Sequence, residues 1–394
     1  MKQLFLFLVL LCFVSCDSEP ISKNGIESPS KGEYELTLDE AKSVLIDFLN
    51  EQDATKNSRN IVIKDYSIHN YEITGISTKA NIKSKPEKIP VFEFITETNK
   101  NKGYSLVVGD KRISKVLAFI EKGTLNDTSF IPPLKMFYES IPELINNDLE
   151  SYSNNPPVNT KSSNNDYYYA ILPTSWGQGY PYNKYCPPCS ETIYDSYYRG
   201  KCRAGCASIA IAQIMVYHQH PETLHNMSTD FDWTNILAYP FIDDNSPSNV
   251  IDQVANLVNI MGVSVGTNYQ CYASGTNQDN VPAVFSWFGY TMGNMQEYSL
   301  DTIKNSLQNR RPVFITASAY DSVTTKRVGH AWVCDGWYIN NYSNYLHFNW
   351  GWDGTSNGYY YVPDSYYFIV NPSYQGGRYT FSQDIYIIPN IRVQ

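Results

Sequence analysis

The chain has 394 residues, of which 42% are hydrophobic and 18% are charged, and its formal net charge is −9. This length exceeds that of one typical domain and predicts two globular units, each with enough apolar material for a core. The acidic balance and the lack of a large Lys/Arg cluster argue against nucleic acid or an anionic membrane surface as the main partner.

The first residues are typical of an export signal. Residues 1–16, "MKQLFLFLVLLCFVSC", have a charged start and then an apolar run that is too short to span a bilayer. The run ends in Phe13-Val14-Ser15-Cys16, which resembles the lipobox of bacterial lipoproteins, although Phe13 departs from the usual leucine. We expect an exported protein that touches the outer membrane or cell surface only through a lipid on Cys16, or that is released from it.

Residues 17–33 are polar and predict a tether, and residues 34–150 predict a small α+β domain. The stretch "LTLDEAKSVLIDFLNEQ" has apolar residues at helical spacing, with Asp39 and Glu40 in its first turn. Four short alternating runs follow, which is typical of an antiparallel sheet. The stretch "PPLKMFYESIPELINNDLESY" then predicts a closing helix.

Residues 151–166 are rich in Asn, Ser and Pro and have no apolar periodicity, which predicts an exposed linker open to proteolytic cleavage. Residues 167–394 predict a second α+β domain. Its helical stretches "CASIAIAQIMVYH" and "SNVIDQVANLVNIMG" precede a series of strand-like runs, the pattern of helices packed beside an antiparallel sheet.

Six cysteines follow residue 16, and an exported protein favours disulfides between them. They are Cys186, Cys189, Cys202, Cys206, Cys271 and Cys334. The spacing of the first four also fits a zinc site, which would use Cys206 as a ligand. We expect no metal, and one or two disulfides with unassigned partners among Cys186, Cys189, Cys202 and Cys271.

Cys206 opens the apolar helix and follows Gly205. A helix N-terminus favours a thiolate through its unpaired N–H groups and its dipole, which suits a nucleophilic cysteine. Taken alone, the pattern fits a buried structural cysteine at least as well. A nucleophile also needs a base and donors for the oxyanion that forms on attack, and the amide of Gln178 in "WGQGYPYN" is one such donor.

A histidine is the expected base, and "VGHAWVCDGW" offers His330 on a strand. The segment "YLHFNWGWDG" adds Asn349, whose amide can orient an imidazole, and Trp350, which can cover that bond from water. His347 shares a face with Asn349, so a site centred on His347 is the rival geometry. A structural histidine is the alternative interpretation of His330.

Four motifs occur in order: "WGQGYPYN", "GCASIAIAQIMVYHQHP", "VGHAWVCDG" and "HFNWGWDGTSNGYY". Together they resemble the streptopain family of papain-fold cysteine peptidases over residues 170–394, and residues 34–145 resemble that family's propeptide. The resemblance implies an α+β fold, with a papain-like peptidase domain preceded by a small α+β propeptide domain. It also implies a zymogen whose propeptide inhibits the enzyme until it is cut off.

The resemblance implies catalytic roles for Cys206 as nucleophile, His330 as base and Gln178 as oxyanion donor. Asn349 and Trp350 match the family's segment that lines and orients the histidine. The resemblance further implies Ser274 and Gly329 as contacts to the substrate backbone, with protein or peptide substrates and no cofactor. The extra cysteines and the tail "PSYQGGRYTFSQ" depart from the family pattern, so substrate preference cannot be carried over.

The expected function is therefore that of a secreted or lipid-anchored cysteine endopeptidase. One alternative keeps the enzyme but transfers the acyl group to an amine, as a transamidase does. The other alternative is a catalytically silent surface binding protein that retains the fold.

Overall fold

The computed structural model describes residues 32–53, 61–73, 86–98, 101–125, 132–154, 167–189, 196–223, 231–321, 326–340, 343–363, 379–380 and 385–394. The predicted signal of residues 1–16, the tether up to residue 31 and residues 155–166 of the predicted linker lie outside the described residues. Within those ranges, no helix combines the length and apolarity that a membrane span requires.

The N-terminal part has the predicted order of one helix, four strands and a second helix. Its elements are α1 (Leu38–Asp53), β1 (Val62–Ile73), β2 (Glu87–Glu97), β3 (Lys102–Val108), β4 (Val116–Ile120) and α2 (Pro132–Asn154). Helix α2 continues into the first residues of the predicted linker, where Tyr152 packs partly buried against the core. The domain boundaries themselves stay a prediction.

The C-terminal part is helical first and then rich in strands, as the sequence predicts. The strand β5 (Tyr167–Tyr168) precedes α3 (Cys206–His218), α4 (Trp233–Leu237), α5 (Ser248–Ser264), α6 (Val281–Trp287), β6 (Tyr290–Thr291), β7 (Gln296–Glu297) and α7 (Leu300–Gln308). The remaining strands are β8 (Val313–Asp321), β9 (Lys326–Asn340), β10 (Ser343–Asn349), β11 (Gly358–Val362), β12 (Tyr379–Thr380), β13 (Ile385–Ile388) and β14 (Arg392–Val393). The α+β class is therefore confirmed.

One antiparallel sheet runs through both parts of the chain. Its order is β1-β2-β3-β4-β11-β10-β9-β8-β13-β7, with β12 beside β8 and β5 beside β9. The two parts join where β4 pairs with β11, with Phe119 opposite Tyr359. The N-terminal part thus adds its strands to the sheet that carries His330 and Asn349.

Aromatic side chains fill the junction between the two parts. The ring of Phe48 in α1 lies 5.4 Å from the ring of Tyr338 and 5.0 Å from that of Tyr345. The Tyr345 hydroxyl donates to the carbonyl of Val116 at 2.9 Å, and that of Tyr361 donates to α2. The many tyrosines of the C-terminal part therefore supply both the apolar area and the polar contacts of this interface.

Helix α3 has no polar face because it is buried on all sides. Every side chain from Ala207 to Val216 is buried, and the helix packs on α5 and on β9. Its small residues, Ala207, Ala210 and Ala212, let neighbouring elements approach closely. The helix ends at Gln219, which adopts the left-handed conformation and returns its N–H to the carbonyls of Met215 and Val216.

Candidate active site

Cys206 is the first residue of α3, and the backbone before it needs a glycine. Gly205 has a φ of 92°, a conformation that L side chains rarely adopt. A Cβ at this position would lie 3.3 Å from Cγ2 of Thr267. The turn therefore presents the Cys206 thiol at the unpaired N–H end of a rigid buried helix.

Helix α3 places Cys206 against the strand that carries His330. This strand, β9, packs directly on α3. Burial raises the pKa of the Cys206 thiol, and the N–H groups of Ala331, Ala207 and Cys206 itself lower it by less. The structure thus brings the predicted nucleophile and the predicted base together.

The imidazole of His330 lies among three tryptophans. Its ring centroid is 6.2 Å from that of Trp332 and 6.1 Å from those of Trp350 and Trp352. Its Nε2 lies 2.8 Å from the backbone carbonyl oxygen of Trp350. A carbonyl only accepts, so Nε2 must carry the hydrogen, and Nδ1 of the neutral ring is left free to accept a proton.

Burial lowers the pKa of His330 to about 4, which the bond to the Trp350 carbonyl offsets only in part. The raised pKa of the Cys206 thiol likewise favours the uncharged form of that side chain. Both shifts favour a thiol and a neutral imidazole over the charged pair in the full chain. The sequence predicts a thiolate–imidazolium pair here. Burial of the imidazole is the main cause of the difference for His330, whereas the Cys206 thiol is half-buried.

Asn349 is near the site, but its amide does not hold the imidazole. Its Nδ2 donates to the carbonyl of Thr174 at 2.8 Å, and its Oδ1 accepts from the backbone N–H of Gly351 at 3.2 Å. The orienting bond to His330 comes instead from the next residue, through the main-chain carbonyl of Trp350. In the full chain the Asn349 side chain faces α3 and supports the loop that carries that carbonyl, and its orienting role stays a prediction.

Gln178 and Ser274 both contact the chain just before Cys206. Gln178 is 4% exposed, and its carbonyl accepts from the N–H of Ala204 at 3.1 Å. The hydroxyl of Ser274 donates to the carbonyl of Arg203 at 2.6 Å. The Ser274 hydroxyl therefore holds the backbone just before Cys206. The contact between Ser274 and the substrate backbone stays a prediction.

Gly329 is exposed and precedes His330 on β9, where it pairs with Ser318 of β8. A Cβ at Gly329 would lie 3.3 Å from the carbonyl oxygen of Ala317, so a side chain there would crowd the neighbouring strand. Its role in binding substrate stays a prediction.

The structure separates His347, the rival base, from Cys206. Its Nδ1 lies 2.6 Å from Oδ1 of Asp335, and both side chains are buried. The other carboxylate oxygen of Asp335 accepts from the N–H of Leu172 at 2.9 Å. This pair holds the start of the C-terminal part against the sheet.

One disulfide joins Cys189 to Cys271. It removes Cys189 from the alternative zinc set and links the chain before α3 to the chain after α5. Cys186, Cys202, Cys206 and Cys334 are free thiols. Burial raises the pKa of Cys186 to about 12, and it also raises that of Cys334, so the thiols at these positions are poor nucleophiles.

Sequence reasoning missed Gln213. Its Oε1 accepts from the backbone N–H of Trp176 and the hydroxyl of Thr174, each at 3.1 Å, and its Nε2 lies 3.3 Å from Oδ1 of Asn349. Gln213 thereby ties α3 to the segments that carry Gln178 and Trp350. The signal was present, because a glutamine inside an otherwise apolar buried helix needs polar partners.

A cysteine at a helix N-terminus, beside a histidine held on an antiparallel sheet, defines a cysteine peptidase of papain-like fold. Here it is preceded by a propeptide. Residues 176–360 match the model of the Peptidase C10 family, and residues 22–145 match that of the Spi protease inhibitor. The C-terminal part therefore matches the Peptidase C10 family, the streptopain family that the motifs indicated.

Two curated relatives are thiol proteases that align with both parts of the chain. The chain is 24% identical over 343 residues to the thiol protease/hemagglutinin PrtT of Porphyromonas gingivalis, an alignment covering 75% of this chain and 36% of PrtT. It is 26% identical over 317 residues to streptopain of Streptococcus pyogenes, covering 70% of this chain and 73% of streptopain. The chain thus spans about a third of the length of PrtT.

A solved structure of a Prevotella intermedia prointerpain A fragment superposes with a TM-score of 0.52 at 20% identity. It covers 82% of this chain and 98% of the fragment. The shared fold therefore includes both the propeptide and the peptidase parts.

Proposed function

We propose that this chain is the zymogen of an exported cysteine endopeptidase that hydrolyses peptide bonds through Cys206 and His330. The observation that supports it most directly is that Cys206 begins the helix that packs on the strand of His330, whose imidazole Nε2–H donates to the carbonyl of Trp350. The other free thiols among the described residues, Cys186, Cys202 and Cys334, are each buried and away from this imidazole.

Attack begins with the thiol and the neutral imidazole. Nδ1 of His330 takes the proton of Cys206 as the sulfur adds to the carbonyl carbon of the scissile bond. The positive charge that forms on the ring is stabilised by the Nε2–H bond to the Trp350 carbonyl. The N-terminus of α3 stabilises the developing negative charge.

The tetrahedral oxyanion needs two donors. The backbone N–H of Cys206 is unpaired within the helix, and the buried Gln178 amide is the second donor. His330 then returns its proton to the leaving amine, and the acyl group stays on Cys206. A water molecule, deprotonated by His330, hydrolyses the thioester and frees the enzyme.

Contacts from the N-terminal part support its role as the inhibitor. Nζ of Lys122 donates to the carbonyl of Asp353 at 2.8 Å, and the carbonyl of Lys122 accepts from the N–H of Ser356 at 2.8 Å. The Asp353 carboxylate packs where a Cβ at Gly177 would lie, next to Gln178. The propeptide thus binds the loop that flanks the oxyanion donor, and its removal by cleavage within residues 151–166 opens the cleft.

The export and anchoring proposal rests on the sequence of residues 1–16. The signal directs the chain out of the cytoplasm, and Cys16 carries the lipid that holds it at the bacterial surface. Cleavage within 151–166 would then release the mature peptidase from the anchored propeptide. Mass analysis of the protein purified from its membrane fraction tests this, since a diacylglyceryl adduct on Cys16 is expected.

Incubation of residues 17–394 under reducing conditions tests the peptidase proposal, with wild type beside Cys206→Ala. We expect only the wild type to lose its N-terminal part, seen by intact mass, and then to digest casein. If neither protein is cut, an added protease removes the propeptide from both. A wild type still inert toward casein after that removal would contradict the proposal and favour a binding protein.

A further inference from the structure

Arg203 lies three residues before Cys206 and next to the aromatic cluster around His330. Its guanidinium carbon is 4.7 Å from the ring centroid of Tyr198 and 5.7 Å from that of Trp352. The Trp352 ring in turn lies 6.1 Å from the imidazole of His330 and nearly parallel to it. A single tryptophan therefore separates the cation from the catalytic base.

Two hydrogen bonds hold the backbone of Arg203, and two aromatic rings contact its guanidinium. Its N–H donates to the carbonyl of Gln270 at 3.3 Å, and its carbonyl accepts from the hydroxyl of Ser274 at 2.6 Å. The side chain is half-buried. Stacking on aromatic rings further restricts the planar guanidinium and leaves its hydrogen-bonding edges available.

Arg203 has no carboxylate partner in the part of the chain that the structure describes. Its Nε is buried and makes no hydrogen bond there. Other arginines differ: Arg199, on the same loop, pairs with Asp244, and Arg112 pairs with Asp110 and Glu87. A guanidinium placed between aromatic rings beside a catalytic site, without an internal anion, is suited to an anion that arrives from outside.

We infer that Arg203 is a specificity residue that binds a carboxylate of the peptide substrate on the leaving-group side of the scissile bond. His330 gives its proton to the leaving amine, so residues beyond the imidazole, past Trp352, face the leaving part of the peptide. The carboxylate is either an Asp or Glu side chain or the free C-terminus of a short leaving peptide. This inference rests on the proposed function, because it assigns a preference to the same site.

Matched peptides test the inference and separate the two sources of carboxylate. The enzyme produced by processing of the full chain is assayed on internally quenched peptides that differ only on the leaving side of the scissile bond. One pair of amidated peptides carries either Glu or Gln on that side. The second pair ends in either a free carboxylic acid or an amide. The readout is the ratio of kcat/KM for the charged peptide to that for its neutral partner, in which general losses of activity cancel.

We expect the wild type to favour one charged peptide by about 10-fold, the effect of a charge-assisted bond in a partly buried site. Arg203→Gln brings that ratio to about one, and Arg203→Lys gives an intermediate ratio, since it keeps the charge but not the planar fork. The matched control is Arg199→Gln, which removes a neighbouring arginine and should leave the ratio unchanged.

The outcomes are distinct. A preference for Glu over Gln identifies an acidic side chain as the ligand, and a preference for the free acid identifies the C-terminus. Equal rates on charged and neutral peptides by the wild type, or a ratio that Arg203→Gln leaves intact, would overturn the inference and leave the peptidase standing. No cleavage of any peptide after removal of the propeptide would overturn both.

Discussion

Substitution of Gly358 by alanine should loosen the propeptide without changing the mature enzyme. Gly358 begins β11 and pairs with Ile120 of β4 at the junction of the two parts. A Cβ there would lie 2.1 Å from the carbonyl oxygen of Phe119 and 3.0 Å from Cα of Ile120. Real Cβ atoms do not approach so closely, so β4 must move away by about 1 Å to restore ordinary contact.

That movement disrupts the short ladder in which Gly358, Tyr359 and Tyr360 face Ile120, Phe119 and Ala118. Each backbone hydrogen bond contributes about 1 kcal/mol net, so losing two of them weakens propeptide docking by about 2 kcal/mol. This corresponds to a change of about 30-fold in the docking equilibrium. Since the clashing atoms of Phe119 and Ile120 leave with the propeptide, the mature site is unaffected.

The assay is the rate of propeptide loss from the full chain, followed by intact mass, with activity on casein measured after processing is complete. Gly358→Ala should process about 30-fold faster than wild type and reach the same final activity. Gly275→Ala is the matched control, because its Cβ would have no neighbouring atom within 4 Å. Processing of Gly358→Ala at the wild-type rate would refute the proposed role of the β4–β11 junction.

Three further results are expected. Gln178→Ala should lower kcat of the processed enzyme by about 10²–10³-fold while the chain stays folded, since it removes one oxyanion donor; thermal unfolding and casein turnover check this. Cys271→Ala should lower the free energy of unfolding by about 2–4 kcal/mol in denaturant titrations, because the bond to Cys189 closes a long loop. The fold lowers the pKa of His330 from 6.5 to about 4, so the unfolded chain binds more protons than the folded chain between these pH values. The free energy of unfolding should therefore fall by about 3 kcal/mol as the pH drops from 6.5 to 4. In denaturant titrations at several pH values, His330→Gln should reduce this fall.

Local pattern is enough to propose a nucleophile and a base from the sequence. A cysteine at the start of an apolar helix, after a glycine, defines the position of Cys206, and the strand "VGHAWVCDGW" defines that of His330. The orienting group was assigned to Asn349 because sequence motifs identify side chains. In the structure a backbone carbonyl, that of Trp350, holds the ring, and a main-chain group has no signature in the sequence.

Contacts between segments that are distant in the chain could not be predicted from the sequence either. The pairing of β4 with β11 joins Phe119 to Tyr359, and nothing in either run selects the other as its partner. The connection of Cys189 to Cys271 was left unassigned for the same reason, since spacing does not determine which cysteines meet. The raised pKa of the Cys206 thiol follows from its surroundings in the fold, which the sequence does not show.

Covalent labelling of the processed enzyme with a peptidyl electrophile tests the central claim most directly, with the modified residue identified by tandem mass spectrometry. The account predicts a single adduct on Cys206, formed more than about 10²-fold faster in the wild type than in His330→Ala, because the imidazole must take the thiol proton. An adduct on Cys186, Cys202 or Cys334, or an equal rate of labelling in His330→Ala, would contradict it.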